Sequence, residues 1–135
     1  MKNRNLISLT IGLSYAIIIL GIIHDTATYT PIIKGGLTCL NTDNLQAMLY
    51  MSLICGSSFI LSGIVLILLL KKVNEFAFLR SPILVLGIFL GICGILAVVY
   101  MGGNPFAYIA LILNVSILIT SLVIFTRLKK ASKSL

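Results

Sequence analysis

Four long apolar segments restrict the folds that this sequence can adopt. They cover residues 6–23, 45–70, 83–101 and 106–125, and none contains a charged side chain. A transmembrane helix needs roughly 20 apolar residues. Lipid offers the backbone no hydrogen-bonding partner, so such segments cross a bilayer as helices or as strands of a closed barrel, and barrel alternation is absent. We predict an all-α, polytopic four-helix transmembrane bundle, one domain over residues 1–135.

The composition supports a membrane protein and argues against a nucleic-acid binder. The chain is 59% hydrophobic and 10% charged, whereas a soluble domain usually has about 25% charged residues. The net charge is +7, but the basic residues lie between and beyond the apolar segments rather than on one face with aromatic side chains. We therefore expect the lipid bilayer as partner and no nucleic acid, and a homo-oligomer or a membrane-protein partner stays open.

The basic residues also predict an orientation. With four spans, nine of the ten Lys and Arg residues fall on one side of the membrane, and only Lys34 falls on the other. Positive charges favour the cytoplasmic side, so we predict cytoplasmic amino and carboxyl termini. The nine residues are Lys2, Arg4, Lys71, Lys72, Arg80, Arg127, Lys129, Lys130 and Lys133.

Rare polar residues follow the first apolar segment. His24 is the only histidine, and Asp25 is one of three acidic residues. The sequence predicts an outer loop over residues 24–44, since Pro31 disfavours a helix through Thr30.

Two interpretations of His24 and Asp25 stay open. Both residues can anchor the end of the span at the interface, or they can form a functional site, because ionisable groups at the membrane are functional candidates. An imidazole exchanges protons near neutral pH. Its predicted partners are Asp25, Tyr29, Lys34 and Asp43.

The cysteines do not suggest a metal or redox motif. Cys39, Cys55 and Cys93 are odd in number and form no CxxC pair. Cys55 and Cys93 lie in different spans, and we place them on opposite sides of the bilayer midplane as packing residues. One histidine without a spaced ligand pattern is too little for a zinc or haem site, so we expect no metal and no cofactor.

Small and weakly polar residues indicate how the spans pack. Gly87, Gly91 and Gly94 form a glycine stripe in the third span, which we assign to packing within the chain rather than to a homodimer face. Asn114, in the middle of the fourth span, is expected to hydrogen-bond across helices, or alternatively to line a pore or ligand pocket. The first span has a similar stripe of Ser8, Gly12 and Ala16.

The stretch GIIHDTATYTPII, residues 21–33, resembles the first-span exit of small, uncharacterised bacterial four-helix membrane proteins. The resemblance rests on Gly21–His24 and on the Thr30–Pro31 step. It implies the same class of protein in a bacterial inner membrane, and it carries no activity.

Three functional hypotheses follow. The first is a non-enzymatic membrane subunit, scaffold or small-ligand binder that works through its outer loop. The second is a membrane enzyme or redox protein with an outer-face pocket of His24, Tyr29 and Asp43. The third is a small transporter or channel with a path along Asn114 and the serines of the second span.

Overall fold

The protein consists of four long helices. The computed structural model describes residues 2–31 and 39–131, with side chains at 4–31 and 39–128. The helices are α1 (Lys2–Thr28), α2 (Thr42–Lys72), α3 (Arg80–Met101) and α4 (Pro105–Ala131), and a short 3₁₀ helix, Ala77–Leu79, precedes α3. Each long helix is long and apolar enough to cross a membrane. The predicted all-α fold with four helices of spanning length is confirmed.

Both ends of the loop predicted over residues 24–44 are helical. Helix α1 continues through His24 and Asp25 to Thr28, and α2 begins at Thr42. The hydroxyl of Thr28 donates to the backbone oxygen of His24 at 2.9 Å, so polar side chains here bond to their own helix instead of ending it. Lys34 lies outside the described residues.

The start of α2 is set by a capping residue. Asn41 has extended backbone geometry, and its side-chain oxygen accepts a hydrogen bond from the backbone N–H of Asn44 at 2.9 Å. This bond satisfies one of the N–H groups that the first helical turn leaves free.

The helices pack as two antiparallel pairs. Helix α1 lies along α2 and α3 lies along α4, α1 also contacts α4, and α2 and α3 touch each other little. The two pairs therefore meet mainly through α1 and α4, and a seam remains between α2 and α3. The centre of the bundle contains fully buried aliphatic side chains from all four helices: Ile17, Leu66, Leu70, Ile83, Leu90 and Ile117.

Glycines allow both pairs to pack closely. A methyl group on Gly21 of α1 would lie 2.6 Å from the backbone oxygen of Gly56 in α2. Gly87, Gly91 and Gly94 face α4 in the same way, and methyl groups added to them would lie 2.9, 2.8 and 3.0 Å from the nearest atoms of Ser121, Leu118 and Asn114. The glycine stripe of the third span thus packs within the chain.

The stripe of the first span behaves differently. Gly12 is exposed, and a methyl group there would meet no atom within 4 Å. It lines an open surface groove with Asn5, Ser8, Leu9 and Leu13. Helix α1 instead packs on α2 through Gly21. The spacing of small residues does not by itself show which face of a helix meets its neighbour.

The two ends of the bundle differ in charge. The basic end is formed by the start of α1, the end of α2, the start of α3 and the end of α4, and it holds every Lys and Arg of the described residues. Lys72 pairs with Glu75 there at 2.9 Å. The opposite end, which we call the His24 end, holds Asp25, Cys39 and Asp43.

Two alanine substitutions in the same helix test the glycine contacts. Gly21→Ala should destabilise the protein by about 1–3 kcal/mol, because the added methyl group meets a backbone atom that cannot move aside. Gly12→Ala should leave stability unchanged or slightly raised, since alanine favours helix and the site is open. Thermal unfolding of both variants in the same detergent checks this, and equal losses would contradict the packing.

Candidate functional site

The last turns of α1 turn His24 toward α2 and α4. The side chain is partly buried. Its Nε2 atom lies 3.2 Å from the hydroxyl oxygen of Ser52 in α2. On its other side the imidazole stacks on Phe106 of α4, with ring centroids 6.1 Å apart and planes at 30°. His24 therefore joins three helices at the His24 end of the bundle.

A chain of hydrogen bonds links the imidazole to two hydroxyl groups. The hydroxyls of Ser52 and Thr28 are 2.6 Å apart, and the hydroxyl of Thr28 also lies 2.9 Å from the backbone oxygen of His24. All three contacts are hydrogen bonds at once only when Thr28 donates to that backbone oxygen, Ser52 donates to Thr28, and Ser52 accepts from His24. In this arrangement neutral His24 carries its hydrogen on Nε2 and keeps Nδ1 as an acceptor.

Two adjoining cavities share His24 as part of their walls. The first, which we call the apolar cavity, has a volume of about 220 Å³. The second, the end cavity, has a volume of about 410 Å³, and the two also share Met101 and Phe106. Ligand sites in proteins commonly enclose roughly 300–1,000 Å³ with mostly apolar walls and a few polar groups. Together the cavities have the size and composition of a small-molecule site.

The polarity of the two cavities differs. Aliphatic and aromatic side chains dominate the apolar cavity, where Phe59, Ala97 and Ala110 face His24 and two cysteines. Around the end cavity, Thr30, Ser52 and Asn104 add hydrogen-bonding groups.

Cys55 and Cys93 both line the apolar cavity. The sequence analysis placed them on opposite sides of the bilayer midplane and did not predict that they share a cavity. Both are near the middle of their helices.

Asp25 belongs to the contact between α1 and α2 rather than to the cavities. Ser57 donates a hydrogen bond to Oδ2 at 3.3 Å, while Oδ1 is buried without a hydrogen-bond partner among the described residues. The carboxyl group occupies the space above Gly56, where a methyl group would lie 2.6 Å from Cγ. His24 and Asp25 are neighbours in sequence but serve different contacts, because successive helical residues point about 100° apart.

Tyr29 and Asp43, two further predicted partners of His24, are exposed. Tyr29 is 60% exposed just beyond α1, and Asp43 is exposed in the first turn of α2. Neither lines the two cavities.

Asn114 is fully buried and packs against Gly94. Its amide nitrogen and oxygen have no hydrogen-bond partner among the described residues, so the expected bond across helices is not formed there. Asn114 is also not in the wall of either His24 cavity.

Helical periodicity contained a signal for the residues that the sequence analysis missed. His24 and Thr28 are four apart in α1, and Ser52, Cys55 and Phe59 recur at three- and four-residue spacing in α2. The periodicity marks faces, but it does not show which faces meet.

No group of three or more His, Cys, Asp or Glu side chains converges within the described part of the chain to hold a metal ion. Comparison of the chain with protein-family models, curated proteins and solved structures gave no significant match.

A double-mutant cycle tests the contact of Asp25 with Gly56. Gly56→Ala should destabilise the protein, because its methyl group displaces the carboxylate. In an Asp25→Ala background the cost should fall by about 0.5–3 kcal/mol, the usual coupling of touching residues.

Gly63→Ala is the matched control in α2. Its neighbours are Ser14 and Ile18, so its cost, measured by denaturant unfolding, should be the same in both backgrounds. If Gly56→Ala also costs the same in both, the carboxylate does not occupy this position.

Proposed function

We propose that the protein is a small, non-enzymatic multi-pass membrane protein that binds a small ligand in the two cavities beside His24. One observation carries the proposal: a single hydrogen-bonding imidazole forms a shared wall of two adjoining, largely apolar cavities. Its hydrogen bond to Ser52 and its stacking on Phe106 hold the ring in position. Ligand binding is compatible with a role as a subunit or scaffold of a membrane complex, in which the ligand would act as a signal or as a structural component of that complex.

The ligand should be mostly apolar with at least one polar group. The apolar walls favour hydrocarbon through burial of its surface. Burying a polar group without a hydrogen-bond partner among apolar side chains is costly. The polar group of the ligand should therefore lie beside His24 and the hydroxyls of the end cavity, where it can form hydrogen bonds. Recognition by one imidazole in an apolar site gives orientation as well as affinity.

We further propose a bacterial inner membrane as the location, with both termini in the cytoplasm. The resemblance of the His24 segment supports the first part, and the concentration of described Lys and Arg residues at the basic end supports the second. The ligand site would then lie in the half of the bundle away from the cytoplasm.

Cysteine labelling tests this orientation. In a Cys55→Ala, Cys93→Ala background, exposed Cys39 is the remaining thiol. A membrane-impermeant maleimide added to bacterial cells with a permeabilised outer membrane should label Cys39. A cysteine introduced by Ser134→Cys, in the same background with Cys39→Ser, should react only after lysis. Labelling of both positions from outside would overturn the orientation.

Ligand retention tests the function. Protein purified in mild detergent is extracted with organic solvent, and the compounds bound per mole of protein are measured by mass spectrometry. His24→Leu should reduce binding roughly 5- to 150-fold, since a buried hydrogen bond left unmade costs about 1–3 kcal/mol. His24→Asn should retain more, because its amide oxygen can replace Nδ1 as an acceptor.

Ile112→Leu, at a position 65% exposed on the surface of α4, is the matched control and should bind as the wild type does. Equal retention by His24→Leu and wild type, or no bound compound in either, would contradict the proposal.

A second candidate function, thiol redox chemistry, is favoured by the two cysteines in the apolar cavity. Two thiols can form a disulfide by losing two protons and two electrons, which a bound two-electron acceptor such as a quinone would take up to become a quinol. The extraction experiment separates the candidates. A redox-active compound that is lost in Cys55→Ala or Cys93→Ala favours redox chemistry, and a redox-inert one favours simple binding.

A further inference from the structure

We propose that the ligand is a single-chain membrane amphiphile with a hydroxyl head group, which enters sideways from the bilayer through the seam between α2 and α3. The inference rests on the proposed function and names the chemical class of its ligand. The hydrocarbon chain occupies the apolar cavity, and the hydroxyl lies beside His24 at its junction with the end cavity.

The polarity of the walls gives the direction of the ligand. Phe59, Ala97 and Ala110 surround the deeper part of the site, and they offer only apolar contact. Hydrogen-bonding side chains, Thr30 and Asn104 among them, line the part nearer the His24 end. An amphiphile fits this gradient with its chain toward the bundle centre and its head toward the end.

The seam provides the opening. Helices α2 and α3 touch little, and cavity residues from both reach the outer surface of the bundle. Cys55 of α2 is exposed, and Leu96 of α3 is 45% exposed. Both helices carry exposed apolar side chains, as at Leu61 and Ile92, so the opening faces hydrocarbon when the helices span a bilayer. A ligand dissolved in the membrane reaches it directly.

The hydrogen-bond chain selects the head group. In the arrangement that satisfies all three contacts, neutral His24 keeps Nδ1 as an acceptor. A head group that donates a hydrogen, as an alcohol does, pairs with this acceptor. Ethers, and the ester groups of phospholipids, have no hydrogen to donate.

A tryptophan reporter makes this measurable. The chain contains no tryptophan, so Phe59→Trp introduces a single tryptophan at a cavity residue that is 4% exposed. In phosphatidylcholine vesicles, a brominated long-chain alcohol should quench this cavity tryptophan, because bromine quenches on contact and reaches this position only inside the cavity. The methyl ether of the same alcohol should need at least about a five-fold higher mole fraction for equal quenching.

Three variants serve as controls. Phe89→Trp, at a position 42% exposed on α3, should be quenched equally by alcohol and ether. Ala97→Phe fills the apolar cavity and should suppress quenching of the cavity tryptophan, and His24→Leu should remove the preference for the alcohol. Thermal unfolding of each variant establishes that it is folded.

The outcomes separate this inference from the proposed function. If the cavity tryptophan is not quenched, or is quenched equally by alcohol and ether, the inference is overturned. If brominated phosphatidylcholine quenches the cavity tryptophan as strongly as the alcohol, the occupant is a bulk lipid chain and the inference also fails. In each case a compound retained in a His24-dependent way in the extraction experiment would leave the proposed function standing.

Discussion

Close approach of helix backbones at glycine is the constraint on which the structure depends. Apolar side chains gain little by leaving lipid for another apolar surface, so helices in a bilayer associate through close packing and polar contacts. Gly21 against Gly56 brings α1 onto α2, and the stripe around Gly91 brings α3 onto α4. Because both strong contacts are used within pairs, α2 and α3 are left with few contacts to each other. The seam and the apolar cavity follow from this pairing.

Two sets of polar groups in the bundle differ in how they are paired. His24, Ser52 and Thr28 form a closed chain of hydrogen bonds near one end. The amide of Asn114 and Oδ1 of Asp25 have no partner among the described residues. An unpaired buried polar group costs several kcal/mol in hydrocarbon-like surroundings. The closed chain spares His24 this cost, and an imidazole held by a hydrogen bond can orient a ligand.

Much of the fold could be predicted from the sequence, but less of the site. Four uncharged apolar segments are enough to predict four helices, since the backbone in lipid has few alternatives. His24 was recognisable as a candidate because it is rare and lies at the edge of a span. Its predicted partners Tyr29 and Asp43 were chosen from an expected loop, whereas α1 continues to Thr28 and turns His24 toward Ser52 and Phe106.

The amino-acid sequence alone specifies the number, length and apolar character of the helices and the concentration of positive charge at one end, because these depend on local hydrophobicity and on charge position. The tertiary structure is needed to show that Cys55 and Cys93 share a cavity, that Gly56 accommodates the carboxylate of Asp25, and that the stripe at Gly12 faces outward. These features depend on which helix faces meet. Several faces of each helix are apolar enough to face either lipid or a neighbour, so only the packed bundle distinguishes them.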